Sequence, residues 1–149
     1  MLGRWLAGPR SRGAPGRGQT GRAGERLAEA LLRRQGYRIL ARNSAARWGR
    51  LAGRRRAGEI DILALDPTHP AGPVLVVVEV KTRTVTPGVT PAARPEAQVR
   101  WRKARQLRRL LRLAVRRRRW AGPRRIDVIA VELHPDAPRL RHHIAAVRS

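Results

Sequence analysis

Neither disulfides nor clustered aromatic rings can hold this chain together: it has no Cys and no Phe, a single Tyr, and aromatic residues make up only 3% of its 149 positions. Its core must be aliphatic, built from the Val, Leu, Ile and Ala that dominate the 42% hydrophobic content. The lack of Cys also excludes disulfide scaffolds, thiol nucleophiles and Cys-ligated zinc or iron–sulfur centres. The length suits one compact domain, because domains most often run to about 100–150 residues.

Charge narrows the partners. There are 34 Lys or Arg against 10 Asp or Glu, a formal net charge of +24. The commonest acidic polymer a protein of this kind meets is nucleic acid. Only two of the basic residues are lysine, Lys81 and Lys103. With abundant Ala, Gly, Pro, Val and Leu, this is the residue usage of a GC-rich genome, in which a position needing only positive charge drifts to Arg. A lysine that has not drifted is of interest for chemistry, since its compact ammonium can lose a proton and a guanidinium cannot.

The start of the chain has no apolar run long enough for a signal-peptide core. The longest apolar stretch, Val74 to Val78, is far short of the ~20 residues of a membrane helix. A soluble, cytoplasmic protein without a membrane partner is expected. Residues 1–20 cluster Gly, Pro and Arg without periodicity and read as a disordered basic arm, with a single domain over 21–149. Apolar spacing predicts a helix over Thr20–Gln35, ended by Gly36. Strands are expected at Tyr37–Arg42, Glu59–Leu65 and Val74–Thr82, the last two forming an antiparallel hairpin. A basic helix follows over Glu96–Arg119, stopped by Gly122-Pro123, then strands at Ile126–Leu133 and Leu140–Val147. The order helix-strand-strand-strand-helix-strand, with a short fifth strand, suits the α/β or α+β class: a central mixed sheet of four to five strands flanked by helices.

So few acids make their placement informative. Residues two apart on a strand share a face, so Glu79 and Lys81 project together while Val78 and Val80 point the other way. If the Asp61 strand pairs with this one, a carboxylate from each meets at one edge of the core. Two hard oxygen ligands with open water positions suit Mg²⁺, and a lysine two residues away can orient or deprotonate a water held there. Pattern alone leaves an exposed Glu79–Lys81 ion pair, worth about 0–1 kcal/mol, as the alternative. Lys103 lies four residues after Val99 and four before Leu107, on the inward face of its helix, where an ammonium needs a carboxylate or a phosphate.

An Asp on one strand followed by Glu-x-Lys on the next resembles the PD-(D/E)xK nuclease superfamily. Gly24-Glu25 heading a helix, Gly36-Tyr37, Ile39-Leu40, Arg42-Asn43, Gly58-Glu59-Ile60-Asp61, Val78 to Arg83, a basic helix containing Lys103, and Arg125 to Val128 together resemble the YraN-like family of uncharacterised bacterial proteins. The resemblance covers residues 20–133. It implies a restriction-endonuclease-like or Holliday-junction-resolvase-like core, with Asp61, Glu79 and the Val80 carbonyl holding Mg²⁺ or Mn²⁺, Lys81 activating water, and Glu25 as an additional acid near the metal. Two positions depart from the pattern: Ile60 replaces the superfamily's Pro, and residues 48–57 look inserted, with Arg54, Arg55 and Arg56 as a phosphate-gripping loop.

Glu59 reads as structural and Asp127 as a strand-start residue. His142 and His143 face opposite ways on a strand, and His69 and His134 sit in turns as solvated side chains. Arg83, Arg100, Arg105 and Lys103 join the Arg54–Arg56 loop as expected nucleic-acid contacts, with Trp48, Trp101 and Trp120 able to stack on bases or to fill the core. The expected function is a Mg²⁺- or Mn²⁺-dependent endonuclease acting on DNA. The alternatives are a catalytically silent DNA- or RNA-binding protein keeping the fold and a ribosome-associated RNA binder. The oligomeric state stays open, a homodimer among the options.

Overall fold

The computed structural model describes residues 16–43, 58–88 and 101–147. Most of the expected arm, Trp48, Arg54, Arg55, Arg56, the first part of the expected basic helix and Arg100 lie outside the described residues. Within them the elements are α1 (Arg17–Arg34), β1 (Arg38–Arg42), β2 (Ile62–Asp66), β3 (Val74–Thr84), α2 (Trp101–Arg118), β4 (Arg124–Leu133) and β5 (Arg139–Val147). The five strands form one sheet in the order β1-β2-β3-β4-β5. Every neighbouring pair is antiparallel except β3 and β4, which run parallel. Parallel neighbours need a crossover, and α2 lies within the connection between them. This is the mixed α/β architecture expected from the sequence, and it is consistent with a nuclease-like fold.

β3 carries the core on both faces. Val74, Val76 and Val78 pack with Ile62, Ala64, Ile129 and Val131 beneath Ala28 and Leu32 of α1. On the opposite face Leu75 and Val77 join Leu63 and Ile126 beneath Leu107, Leu110, Leu111 and Ala114 of α2. Each such aliphatic side chain contributes about 1.5–3 kcal/mol on burial, so one strand of Val and Leu ties both helices to the sheet. Among the described residues no helix is long and apolar enough to cross a membrane.

Both helix ends are set by a left-handed residue. After α1, Gly36 has φ +87°, and its N–H and that of Tyr37 bond to the carbonyls of Arg33 (3.0 Å) and Leu32 (2.9 Å), a Schellman closure. α2 ends the same way at Arg119, φ +48°, with Trp120 N–H bonding Val115 O at 3.0 Å. The stop therefore falls three residues ahead of the Gly122-Pro123 signal. At the other end of α1, Arg17 to Thr20 form the first turn, so the last residues assigned to a disordered arm are helical.

A buried polar network at the α1 C-terminal side of the sheet had no counterpart in the sequence reading. Asp127 is not a strand-start residue: it sits inside β4 with 0% exposure. It receives Arg125 Nε at 2.9 Å, His142 Nε2 at 2.9 Å and the Ala145 N–H at 2.9 Å. Arg125 also reaches Asp66 at 2.9 Å and the Tyr37 hydroxyl at 2.7 Å. Burial pushes the Asp66 carboxyl up, but hydrogen bonds from Thr68 and Arg125 outweigh it and hold its pKa below the usual value. His134 is likewise not solvated, being half-buried against Glu132 at 3.5 Å.

Breaking a buried ion pair from one side leaves the other charge uncompensated and costs about 3–5 kcal/mol. Arg125→Ala, which takes the guanidinium from both Asp66 and Asp127, should lose about 3 kcal/mol in urea denaturation at pH 7. Asp66, with its pKa lowered on folding, stabilises the protein above the unfolded value near 3.8 and loses that stabilisation as pH falls through the folded one. The wild-type advantage over Arg125→Ala should therefore shrink below pH 4.

Candidate functional site

The ladder between β2 and β3 stops at Ile62 opposite Val78. The strand expected over Glu59–Leu65 thus begins three residues late, and Asp61 sits in a bend just before it. Its side chain replaces the missing backbone partner: the Val80 N–H donates to Asp61 Oδ2 at 2.7 Å. In an extended strand the N–H and C=O of one residue point to the same side, so the Val80 carbonyl faces this opening too. Asn43, with φ +43°, fixes the bend from β1, its N–H bonding Asp61 O at 3.1 Å.

The opening is a cleft of about 630 Å³ whose lining includes Glu25, Asp61, Glu79, Val80, Lys81 and Arg83. Four predicted site residues, Glu25, Asp61, Glu79 and Lys81, thereby come together. Glu25 enters from α1 and accepts a hydrogen bond from Asn43 Nδ2 at 3.2 Å. α1 comes close enough because residue 24 is glycine: a Cβ there would lie 1.8 Å from Thr82 Oγ1 and 2.8 Å from Thr82 Cβ.

Glu79 is 3% exposed and meets both lysines of the chain, Lys81 Nζ at 2.7 Å from Oε1 and Lys103 Nζ at 2.9 Å from Oε2. The exposed-pair alternative for Glu79 and Lys81 thus fails on the carboxylate side. Lys103 faces inward as its spacing required, and a carboxylate satisfies it. Its approach to Oε2 lacks hydrogen-bond geometry, so that buried oxygen has no hydrogen-bond partner among the described residues. Burial pushes the Asp61 carboxyl up to about 7, the neighbouring Glu79 charge adds to this, the Val80 N–H and Lys103 oppose it, and Glu25 raises it further.

Among the other expected residues, Arg83 lines the cleft while ion-paired to Glu132. Glu132 itself was missed. Burial raises its pKa, but Arg83, His134 and Arg141 together hold it below the usual carboxylate range; an acid following the apolar run Val128–Val131 was the available signal. Arg105 is exposed on α2, on a face it shares with Arg109, Arg112 and Arg116, and α2 contains no acid. Glu59 is exposed outside the strand. Trp120 packs partly against the α2-side core and donates to Pro123 O at 2.8 Å, the core-filling alternative.

No group of three or more His, Asp or Glu side chains among the described residues forms a ready-made metal cluster. The donor set is two carboxylates and a strand carbonyl. That set fits Mg²⁺, which is usually held through one or two carboxylates and keeps several waters. The hydrogen-bond-free Glu79 Oε2 is the atom such an ion would satisfy.

A mixed sheet between two helices, opened beside an Asp and a Glu-x-Lys strand, defines a mixed α/β protein, consistent with a nuclease-like fold, whose cleft gathers carboxylates and basic side chains. Residues 24–131 match the family described as Uncharacterised protein family UPF0102, and the chain belongs to that family, the YraN-like one. A UPF0102 protein of Herpetosiphon aurantiacus is 35% identical over 123 residues, covering 82% of this chain and 88% of the relative. Those of Mycobacterium sp. (strain KMS) and Mycobacterium avium (strain 104) are 43% identical over 131 residues (85% and 83% coverage) and 47% identical over 117 residues (77% and 78% coverage).

Asp61 carries a pH signature of the opposite sign to Asp66. Its folded pKa lies above the unfolded one, near 3.8, so the native state binds the extra proton between about pH 4 and 7, and stability falls as pH rises through that window. In EDTA, wild type should be more stable at pH 5 than at pH 8. Asp61→Asn should flatten this dependence and gain on the order of 2 kcal/mol over wild type at pH 8, measured by urea titration.

Proposed function

We propose that the protein binds nucleic acid, DNA in particular, and hydrolyses its phosphodiesters as an endonuclease using Mg²⁺ or Mn²⁺ held by Asp61, Glu79 and the Val80 carbonyl. One observation carries this reading: two carboxylates of a strongly basic chain share a cleft, and the buried one keeps an oxygen without a hydrogen bond. Carboxylates placed there repel a phosphate unless a cation stands between them. When bound, a divalent ion supplies Lewis acidity and neutralises charge on the phosphate.

Asp61 and Glu79 would hold the ion, and the Val80 N–H fixes the orientation of Asp61. Lys81, as the ammonium paired with Glu79, would align the attacking water, whose proton passes to solvent. The water oxygen bonds to phosphorus as the sugar oxygen leaves with the electron pair of the broken bond. Glu25, on the α1 side of the cleft, orders water by hydrogen bonding. Arg83 at the cleft and the exposed Arg105, Arg109, Arg112 and Arg116 face of α2 supply phosphate contacts, as do Lys103, Arg100 and the Arg54, Arg55 and Arg56 segment. Such a protein acts in the cytoplasm, where its substrate is.

A second reading, a catalytically silent DNA- or RNA-binding protein, is favoured by the two ammonium groups on Glu79, which neutralise it without a metal. Cleavage assays on supercoiled, branched and single-stranded DNA and on RNA, with Mg²⁺ or Mn²⁺, separate the two. Wild type should cut DNA; Asp61→Ala and Lys81→Ala should bind it and lose about 10²-fold or more in rate. Binding by all three proteins with cutting by none supports the silent reading.

A further inference from the structure

Helix α2 presents arginines to solvent and turns a lysine inward. Of 34 basic residues only two are lysine, and both converge on one carboxylate, each within ion-pairing distance of its own Glu79 oxygen. Lys81 reaches Glu79 along its own strand. Lys103 reaches it from a different element, from the start of α2, one helical turn before the buried Leu107. Both ammonium groups lie on Glu79, so this carboxylate has counter-charges before any ligand enters. Lys103 is held there by charge, since its contact to Oε2 lacks hydrogen-bond geometry. An arginine at this position would grip both oxygens in a fork, whereas a lysine swings its ammonium between acceptors on a flexible stem.

We propose that Lys103 is a resident counter-cation that competes with a divalent ion for Glu79 Oε2 and gives it up when a nucleic-acid phosphate arrives to take the ammonium, so that metal uptake depends on substrate. This rests on the metal-site reading above and adds the order of events: the free protein binds its ion weakly, and DNA and metal bind with positive coupling. Such coupling is reciprocal, each ligand tightening the other by the same factor. Lys103 is thus a positioning residue, acting through Glu79.

The test is Mn²⁺ affinity, by electron paramagnetic resonance of the free ion at pH 8, with and without a short phosphorothioate DNA duplex that resists cleavage. Lys103→Met should bind Mn²⁺ about tenfold more tightly than wild type in the absence of DNA, within the usual range of site coupling. The duplex should tighten Mn²⁺ binding to wild type by a similar factor and leave Lys103→Met nearly unchanged. Lys103→Gln, polar but uncharged, should match the Met variant and serves if that variant fails to fold. Equal Mn²⁺ affinity in wild type and both variants, or equal tightening by DNA in all, overturns the Lys103 inference and leaves the metal site standing. No Mn²⁺ uptake by any of the proteins, with or without DNA, overturns both.

Discussion

The hydrogen bond of 2.7 Å from the Val80 N–H to Asp61 Oδ2 stands where β2 would otherwise have continued its ladder along β3. A backbone donor in a half-buried position must find an acceptor, and by using a side chain the fold satisfies it while letting the two strands part. The cleft, the exposure of the Val80 carbonyl side and the approach of Asp61 to Glu79 all follow from that substitution. Extending β2 by two residues would turn Asp61 into an ordinary ladder position and close the opening.

Buried charge is handled differently on the two sides of the sheet. Around Asp127 the polar groups answer one another: Arg125 joins Asp66, Asp127 and Tyr37, and His142 and a backbone N–H complete the aspartate. A satisfied network of this kind makes a rigid anchor. Around Glu79 both oxygens are ion-paired but Oε2 makes no hydrogen bond among the described residues, and the neighbouring Asp61 carboxyl is pushed up to about 7 by burial and a like charge. Unsatisfied buried groups in a native fold call for an explanation, and a cation-binding role supplies one. The fully hydrogen-bonded cluster anchors the sheet, and the Glu79 cluster is the one the proposed metal site uses.

The order of elements was legible because aliphatic runs and turn clusters mark it, and because an aliphatic core leaves few other ways to fold. The pairing of Glu79 with Lys81 followed from strand alternation, and the inward Lys103 from helical spacing. The late start of β2 was not legible, since Glu59-Ile60-Asp61 alternates like a strand and only tertiary contact with Val80 ends the ladder there. The end of α2 falls within a residue of its expected place, but its cause was not legible, since Arg119 adopts a left-handed conformation that sequence assigns to glycine. The Asp127 network and the Arg83–Glu132 pair join residues from different strands and surfaced only with the register of β3 on β4.

Membership in the YraN-like family UPF0102 extends the matched region across the cleft strands and the inward lysine. The central claim is that Asp61 and Glu79 together hold a divalent ion. Anomalous diffraction from crystals soaked in Mn²⁺ tests it most directly. The account predicts a peak about 2.1 Å from carboxylate oxygens of both residues; an empty cleft under saturating Mn²⁺, or an ion held by other residues, would contradict it.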